Sequence, residues 1–413
     1  MSKNNLPVAL VLGGTFPHKR LVDLLKGRGF KVVLVDYTEE PPAKENCDEH
    51  LQKSTLDQDI VLKLARLYSA SLVISACIDQ ANVTACYVLE QLELYAPYSY
   101  QTSLNVSDKV LMKRIMLEHD IPTSKFVTLT AHEKTNLKDL TFPVVVKPSD
   151  SNSSKGVRKA NNLNETNEYL KSAFKISRGK KAVVEEFVTG REIGLDFYIS
   201  NDEAHLIMSR ERRKIDNSRD TIQQIYGSFW PATLSRDVQK RLVEVAVQIA
   251  KAFHLKNTPL LIQAIYNDTT GEINVLEFAP RIGGGDNYQI IELATGFDII
   301  NAAIDSFLGR EVKPEFNEPK FMLADNYLYV EPCRFGHVKN WQELIDNGTI
   351  EYMKIYKTKG VELGEDISSN NRVGVFTVKG KTQDELLEKL EKANKYLEIF
   401  DLNGTPVMRK DIY

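Results

Sequence analysis

Three runs near the N-terminus, Val8–Leu12, Lys31–Tyr37 and Leu72–Ile78, are apolar almost without a break. A strand with one wet face alternates polar and apolar residues. A continuous run needs cover on both faces, the pattern of a parallel sheet held between helices. The spacers agree. The first run ends in Gly13-Gly14 and leads into a helix-like stretch from about Phe16 to Gly27, and an amphipathic stretch around Ile60–Tyr68 precedes the third. β-α-β units in a buried sheet are therefore expected ahead of Ser107. Gly13-Gly14 lacks the rest of a G-x-G-x-x-G fingerprint, so a tight turn or a substrate-side loop is the better reading than a dinucleotide site.

The pattern changes at Ser107-Asp108. Either residue can cap a helix over Val110–His119, which Asp120-Ile121-Pro122 ends. From Pro143 the chain reads as strands at Val144–Lys147, Ala182–Val188, Gly194–Ile199 and Ala204–Met208, then a helix over Arg236–Phe253 and another near Ile299–Leu308. A polar link, Glu311–Lys320, precedes strand-like Tyr327–Glu331 and Val373–Lys379 and a charged helix, Gln383–Ile399. A chain of 413 residues has room for two or three domains. Its net charge of −3 gives no whole-chain attraction to nucleic acid or anionic membrane. Cys47, Cys77, Cys86 and Cys333 lack metal-ligand spacing, and Met1–Asn5 leads directly into a strand rather than an apolar leader. No run is long enough to span a bilayer. A soluble, cytoplasmic protein without nucleic-acid or membrane partners is expected.

The residues with chemical potential fall in the middle of the chain. Gln263 lies in one apolar strand and Glu277 in the next, across an Asn267–Gly271 turn; an antiparallel hairpin would set the two side by side. Oxygen ligands so paired, with Arg281 just beyond, suit Mg²⁺ carrying nucleotide phosphates. Lys147 closes a buried strand and is followed by a small-residue loop, Ser149–Val157, able to wrap an anion with backbone N–H groups. Glu185-Glu186-Phe187-Val188-Thr189-Gly190-Arg191-Glu192 could offer a backbone edge to adenine and an acid to ribose, although taken alone it is a strand with a turn. Met208–Lys214 is either a solvated, salt-bridged strand end or the source of an arginine for phosphate or an acidic substrate. His18, His119 and His254 are isolated and read as structural.

In this order and spacing, Lys109, Lys147 with its loop, Glu186–Glu192, Gln263 and the Glu277-x-x-Pro-Arg281 string resemble the ATP-grasp superfamily. The Gln and E-x-x-P-R pair is most similar to the large chain of carbamoyl phosphate synthetase, and stand-alone amino-acid-ligase-like members are also similar. The resemblance implies an ATP-grasp fold of mixed α/β and α+β class. It would comprise a Rossmann-like parallel α/β domain over residues 1–105, an ATP-grasp domain over 106–310 with a lid at about 122–190, and a C-terminal α+β subdomain over 311–413. It further implies roles. Lys109 and Lys147 would hold the ATP phosphates under a loop containing Ser153, Ser154 and Gly156. Glu185, Glu186, Phe187 and Val188 would line the adenine and Glu192 would meet the ribose. Glu277 and Gln263 would bind Mg²⁺ (or Mn²⁺), and Arg281 would neutralise the transferring phosphoryl group. Gly284 and Gly285, with Arg281, would face the substrate. One departure stands out: Ala279 occupies a position where the family commonly has a metal-binding Asn.

The activity implied is that of an ATP-dependent ligase, in which a small carboxylate becomes an acyl phosphate and then condenses with an amine. Two alternatives are a bicarbonate-phosphorylating enzyme and an ATP-binding regulatory protein without turnover, the latter supported by Ala279. Dimers are common among such proteins, so a homodimer is an option. Arg372 falls in a string resembling the family's closing subdomain, where a structural role is the simpler reading.

Overall fold

A computed structural model describes residues 6–133, 135–151, 155–215, 224–364 and 371–413. The N-terminal expectation is met: Glu49–Gln52, Lys31–Asp36, Val8–Leu12 and Ala70–Ile74 form a parallel four-stranded sheet in that spatial order. The third apolar run stops pairing at Ile74, and the residues after it, Ser75–Ile78, form the turn into a helix, Asp79–Gln91. Gly14 has no room for a side chain, since a Cβ there would lie 2.4 Å from Cβ of Pro41. The Gly-Gly turn is thus packed against protein.

Helices Asn287–Thr295 and Ile299–Phe307, late in sequence, join the same apolar core as this sheet. Arg28 fastens that contact by gripping both carboxylate oxygens of Asp305 at 2.6 and 3.0 Å, and Arg20 reaches Asp298 at 2.9 Å. No sequence pattern announces these pairings.

A second, antiparallel sheet carries Phe126–Thr130, Lys181–Glu186, Val144–Pro148 and Arg158–Ala160, with helix Leu163–Ile176 packed on it. The largest sheet is eight-stranded and antiparallel, in the order Ile273–Ala279, Asn257–Tyr266, Arg191–Ser200, Glu203–Lys214, Ile225–Trp230, Met322–Leu328, Gly374–Gly380 and Tyr352–Ile355. Helix Arg236–Ala252 covers it, capped by Ser235, whose hydroxyl accepts from the N–H of Val238 at 3.3 Å. Strands from beyond residue 320 therefore continue the central sheet, while Glu362–Leu363, Cys333–Lys339 and Glu398–Asp401 make a small separate one. The charged C-terminal helix ends at Tyr396, earlier than its charge pattern suggested, because Leu397 turns the chain and Glu398–Asp401 pairs as a strand. Tyr327–Glu331 likewise shifts upstream, to Met322–Leu328.

His18 is fully buried, accepts from the N–H of Ala76 at 3.2 Å and meets Thr15 at 2.8 Å. Burial pushes its pKa down from 6.5 to about 3, against a smaller opposing pull from the Leu12 backbone. A folded-state pKa below the unfolded one means that stability is complete above pH 6.5 and is lost as pH falls toward 3. Between pH 6.5 and pH 5 the unfolding free energy should drop by about 2 kcal/mol. Urea melts across that window measure it, and His18→Gln should flatten the slope.

Candidate active site

The hairpin holds as expected. Asn267 accepts from the N–H groups of Thr269 and Thr270 at 2.9 and 3.1 Å, Gly271 takes a positive φ of 72°, and Gln263 pairs directly with Glu277. Direct antiparallel partners share a face of the sheet. The row continues across the sheet through Gly194 to Arg210. Gly194 is required there: a Cβ would fall 2.5 Å from Nε of Arg210, whose guanidinium folds over it toward Asp196.

Glu277 meets Lys109, whose Nζ lies 3.4 Å from its carboxylate and also donates to the Ser151 carbonyl at 2.7 Å. Lys109 opens helix Lys109–Glu118, and its Asp108 cap accepts from the N–H of Val110 at 2.8 Å. Hairpin, helix and the start of the loop after Lys147 therefore converge. Lys147, from the strand Val144–Pro148, pairs with Glu185 on the adjacent strand. Glu185 is 2% exposed and has a second cation, Lys113, at 2.5 Å, with the Ser124 hydroxyl donating at 3.0 Å. Burial pushes this carboxyl up, but Lys113 and Lys147 outweigh it and hold it at about 2. Lys147 moves the other way: burial lowers it, and Glu185, with help from Glu277 and Glu192, leaves it raised.

Lys113 is a site residue that the motif reading missed. It sits four residues after Lys109, one helical turn along the same face, a spacing visible in the sequence. Glu192 is buried between Lys214 at 2.9 Å and Arg212 at 3.5 Å. Arg210, Arg212 and Lys214 thus alternate onto the site face of their strand, each with an acidic partner, while Arg213 donates to the Asp325 carbonyl at 2.7 Å. Arg210–Lys214 is no solvated strand end.

Arg281 is clamped by Asp79, its Nε and second amino group donating to the two carboxylate oxygens at 2.5 and 2.7 Å. Asp79 opens a helix of the N-terminal sheet's layer, 202 residues earlier, and no motif could have found it. Burial lowers the Arg281 pKa and Asp79 more than restores it, with Glu277 adding.

Other predicted residues are less centrally placed. Glu186 turns away from Glu185 and accepts from the N–H of Thr141 at 2.8 Å. The N–H of Phe187 donates to the Pro143 carbonyl, and Lys159 lies 4.0 Å over its ring. Val188, half-buried, follows the end of the Lys181–Glu186 strand. Gly156 adopts φ +79°. Ser153 and Ser154 lie outside the described residues. Gly284 and Gly285 are exposed on the loop after Arg281. Ala279 is buried and brings no side-chain oxygen. Among the described residues, no group of three or more His, Cys, Asp or Glu side chains could hold a metal.

A four-stranded antiparallel sheet bearing Lys147 and a larger one bearing Glu277 bring lysines and carboxylates together. Residues 140–289 match the family model described as an ATP-grasp domain, and the chain has the ATP-grasp fold. It is 25% identical over 410 residues to the formate-dependent phosphoribosylglycinamide formyltransferase of Ignicoccus hospitalis, covering 95% of this chain and 96% of that one. It is 29% identical over 222 residues to the carbamoyl phosphate synthase large chain of Thermoanaerobacter sp. (strain X514), covering 52% of this chain but spanning only 20% of that relative. The solved L-amino acid ligase from Bacillus licheniformis superposes with a TM-score of 0.79 at 16% identity, over 97% of this chain and all of that one, a likeness of fold. No helix of the described residues is long and apolar enough to cross a membrane.

Proposed function

We propose that this chain is an ATP-dependent ligase that activates a small carboxylate as an acyl phosphate and condenses it with an amine, releasing ADP and phosphate. The observation that carries the reading is the junction of Lys109 with Glu277 beside Gln263, next to Lys147 held by Glu185. In the first step a substrate carboxylate oxygen attacks the γ-phosphorus and the bond to the bridging oxygen breaks, freeing ADP. In the second, the amine nitrogen attacks the acyl carbon, phosphate leaves, and the nitrogen loses a proton. Lys109 and Lys147 offset phosphate charge, Glu185 keeps the Lys147 ammonium in place, and Arg281 meets the charge that develops on the transferred group. Glu192 receives the ribose hydroxyls, and the backbone at Val188 the adenine edge, with Glu186 and Phe187 beside it. Gly156, in the loop after Lys147, faces the phosphates; Ser153 and Ser154 lie outside the described residues.

Glu277 and Gln263 supply a hard carboxylate and an amide oxygen side by side, a donor set that fits Mg²⁺ or Mn²⁺ completed by phosphate oxygens and water. Such an ion would screen the phosphate charges. The four thiols are free, in keeping with a cytosolic protein. Bicarbonate as the phosphorylated acid is a second reading, favoured by the local 29% identity to a carbamoyl phosphate synthase large chain.

The test is phosphate release from Mg-ATP against amino acids and other small carboxylates, singly and in pairs, with product masses read from the same wells. Release that needs a pair and yields a condensed product is expected. Release driven by bicarbonate alone would favour the second reading. ATP binding with no release under any mixture would defeat both.

A further inference from the structure

Lys113 is 2% exposed and lies on the helix that Lys109 opens. Its Nζ stands 2.6 Å from the Thr123 hydroxyl, 3.1 Å from that of Ser124 and 2.5 Å from Oε2 of Glu185. Both hydroxyl protons are committed elsewhere. Thr123 donates to the Val275 carbonyl at 2.9 Å, and Ser124 donates to Glu185 at 3.0 Å. Each hydroxyl oxygen can therefore only accept from Lys113, and the three acceptors take all three protons of an ammonium. Burial lowers the Lys113 pKa and Glu185 opposes that shift. No proton of Lys113 is left over for a ligand.

Lys147 is placed differently. It meets the other carboxylate oxygen, Oε1, and among the described residues Glu185 is its one ion-pair partner. Its side chain is 13% exposed against 3% for Lys113. It also feels the charges of Glu277 and Glu192, from two strands of the large sheet. Glu185 is thus shared between a saturated lysine on its dry side and a lysine with protons to spare on its open side.

The charges of this cluster do not balance: one carboxylate faces two ammonium groups. With Lys147 alone the pair would be neutral. Turning that lysine toward a phosphate would then strand a buried carboxylate without a counter-charge, which a dry site resists strongly. We propose that Lys113 is a positioning residue, the permanent counter-ion of Glu185, and that it thereby frees Lys147 to exchange Glu185 for a nucleotide phosphate. The assignment rests on the nucleotide-binding reading above and adds to it a residue that never touches the ligand. Two lysines one carboxylate apart have separate tasks: one stays and the other moves.

Isothermal titration of the full chain with Mg-ADP tests this, beside urea melts that show each variant folded. The natural chain should bind. Lys113→Met, of similar length but uncharged, should weaken Mg-ADP at least tenfold, because Lys147 then stays with Glu185. Adding Glu185→Gln to that variant should bring the affinity back to within threefold of the natural chain, since no stranded carboxylate holds Lys147 back. A lysine that only supports the fold predicts the opposite sign, the second change adding to the first. Should Lys113→Met not fold by itself, the double variant decides: binding within threefold of the natural chain is expected, and anything weaker overturns the proposal. Undiminished binding in Lys113→Met, or a double variant that binds no tighter than the single one, would likewise overturn the role of Lys113 and leave the nucleotide reading standing. A natural chain that does not bind Mg-ADP would remove the nucleotide reading itself, and this proposal with it.

Discussion

Glu277→Gln is expected to lower ATP turnover by roughly 100- to 1,000-fold, the usual loss when one preorganised electrostatic partner of phosphoryl transfer is removed. The substitution keeps size and hydrogen-bonding capacity, so the pairing with Gln263 survives. It removes the carboxylate that faces Lys109 at 3.4 Å and that would hold the metal ion. Stability should change by less than about 1 kcal/mol, because the Glu277 side chain is 38% exposed and such pairs are screened by water. Activity and stability therefore separate, and phosphate release beside a urea melt reads both. Arg281→Lys, which keeps a cation near Asp79 but loses the bidentate grip, should also fall in turnover. Undiminished turnover in both variants would sink the assignment of these residues.

Glu185→Ala should destabilise the fold by about 3–5 kcal/mol, the range for removing one member of a buried ion cluster. The loss exceeds one hydrogen bond because Lys113 and Lys147 would be left in a dry site without their counter-charge. Adding Lys113→Met to that variant should recover part of it, since the second change removes an uncompensated cation. A penalty below about 1 kcal/mol would show the cluster to be solvated. Acid gives an independent reading. The Glu185 pKa is held at about 2 against 4.5, so its stabilisation is complete above pH 4.5 and disappears as pH falls toward 2. The two groups act together between pH 4.5 and 3, and Glu185→Gln should leave only the His18 slope, which ends near pH 3.

Glu185 also shows why motif reading reaches only part of a site. The E-E-F-V string suggested two acids near adenine, but successive strand residues point to opposite faces. One of the pair organises two lysines and the other holds the backbone at Thr141. Lys113 was within reach, being one helical turn past Lys109. Asp79 was not, since nothing in an isolated Asp near the start of a helix says that it will meet an arginine from a distant strand.

What the sequence determined by itself is what depends on near neighbours. Continuous apolar runs specified a buried parallel sheet, the Asn267–Gly271 turn set the register that joins Gln263 to Glu277, and Asp108 capped the helix bearing Lys109. Period, capping and turn chemistry all act over a few residues and can be read there. Tertiary structure alone decided that helices beyond Asp286 complete the core of the N-terminal parallel sheet and that Asp79 clamps Arg281. Those contacts join residues far apart in the chain, and their partners are selected by burial and charge compensation once the sheets have packed.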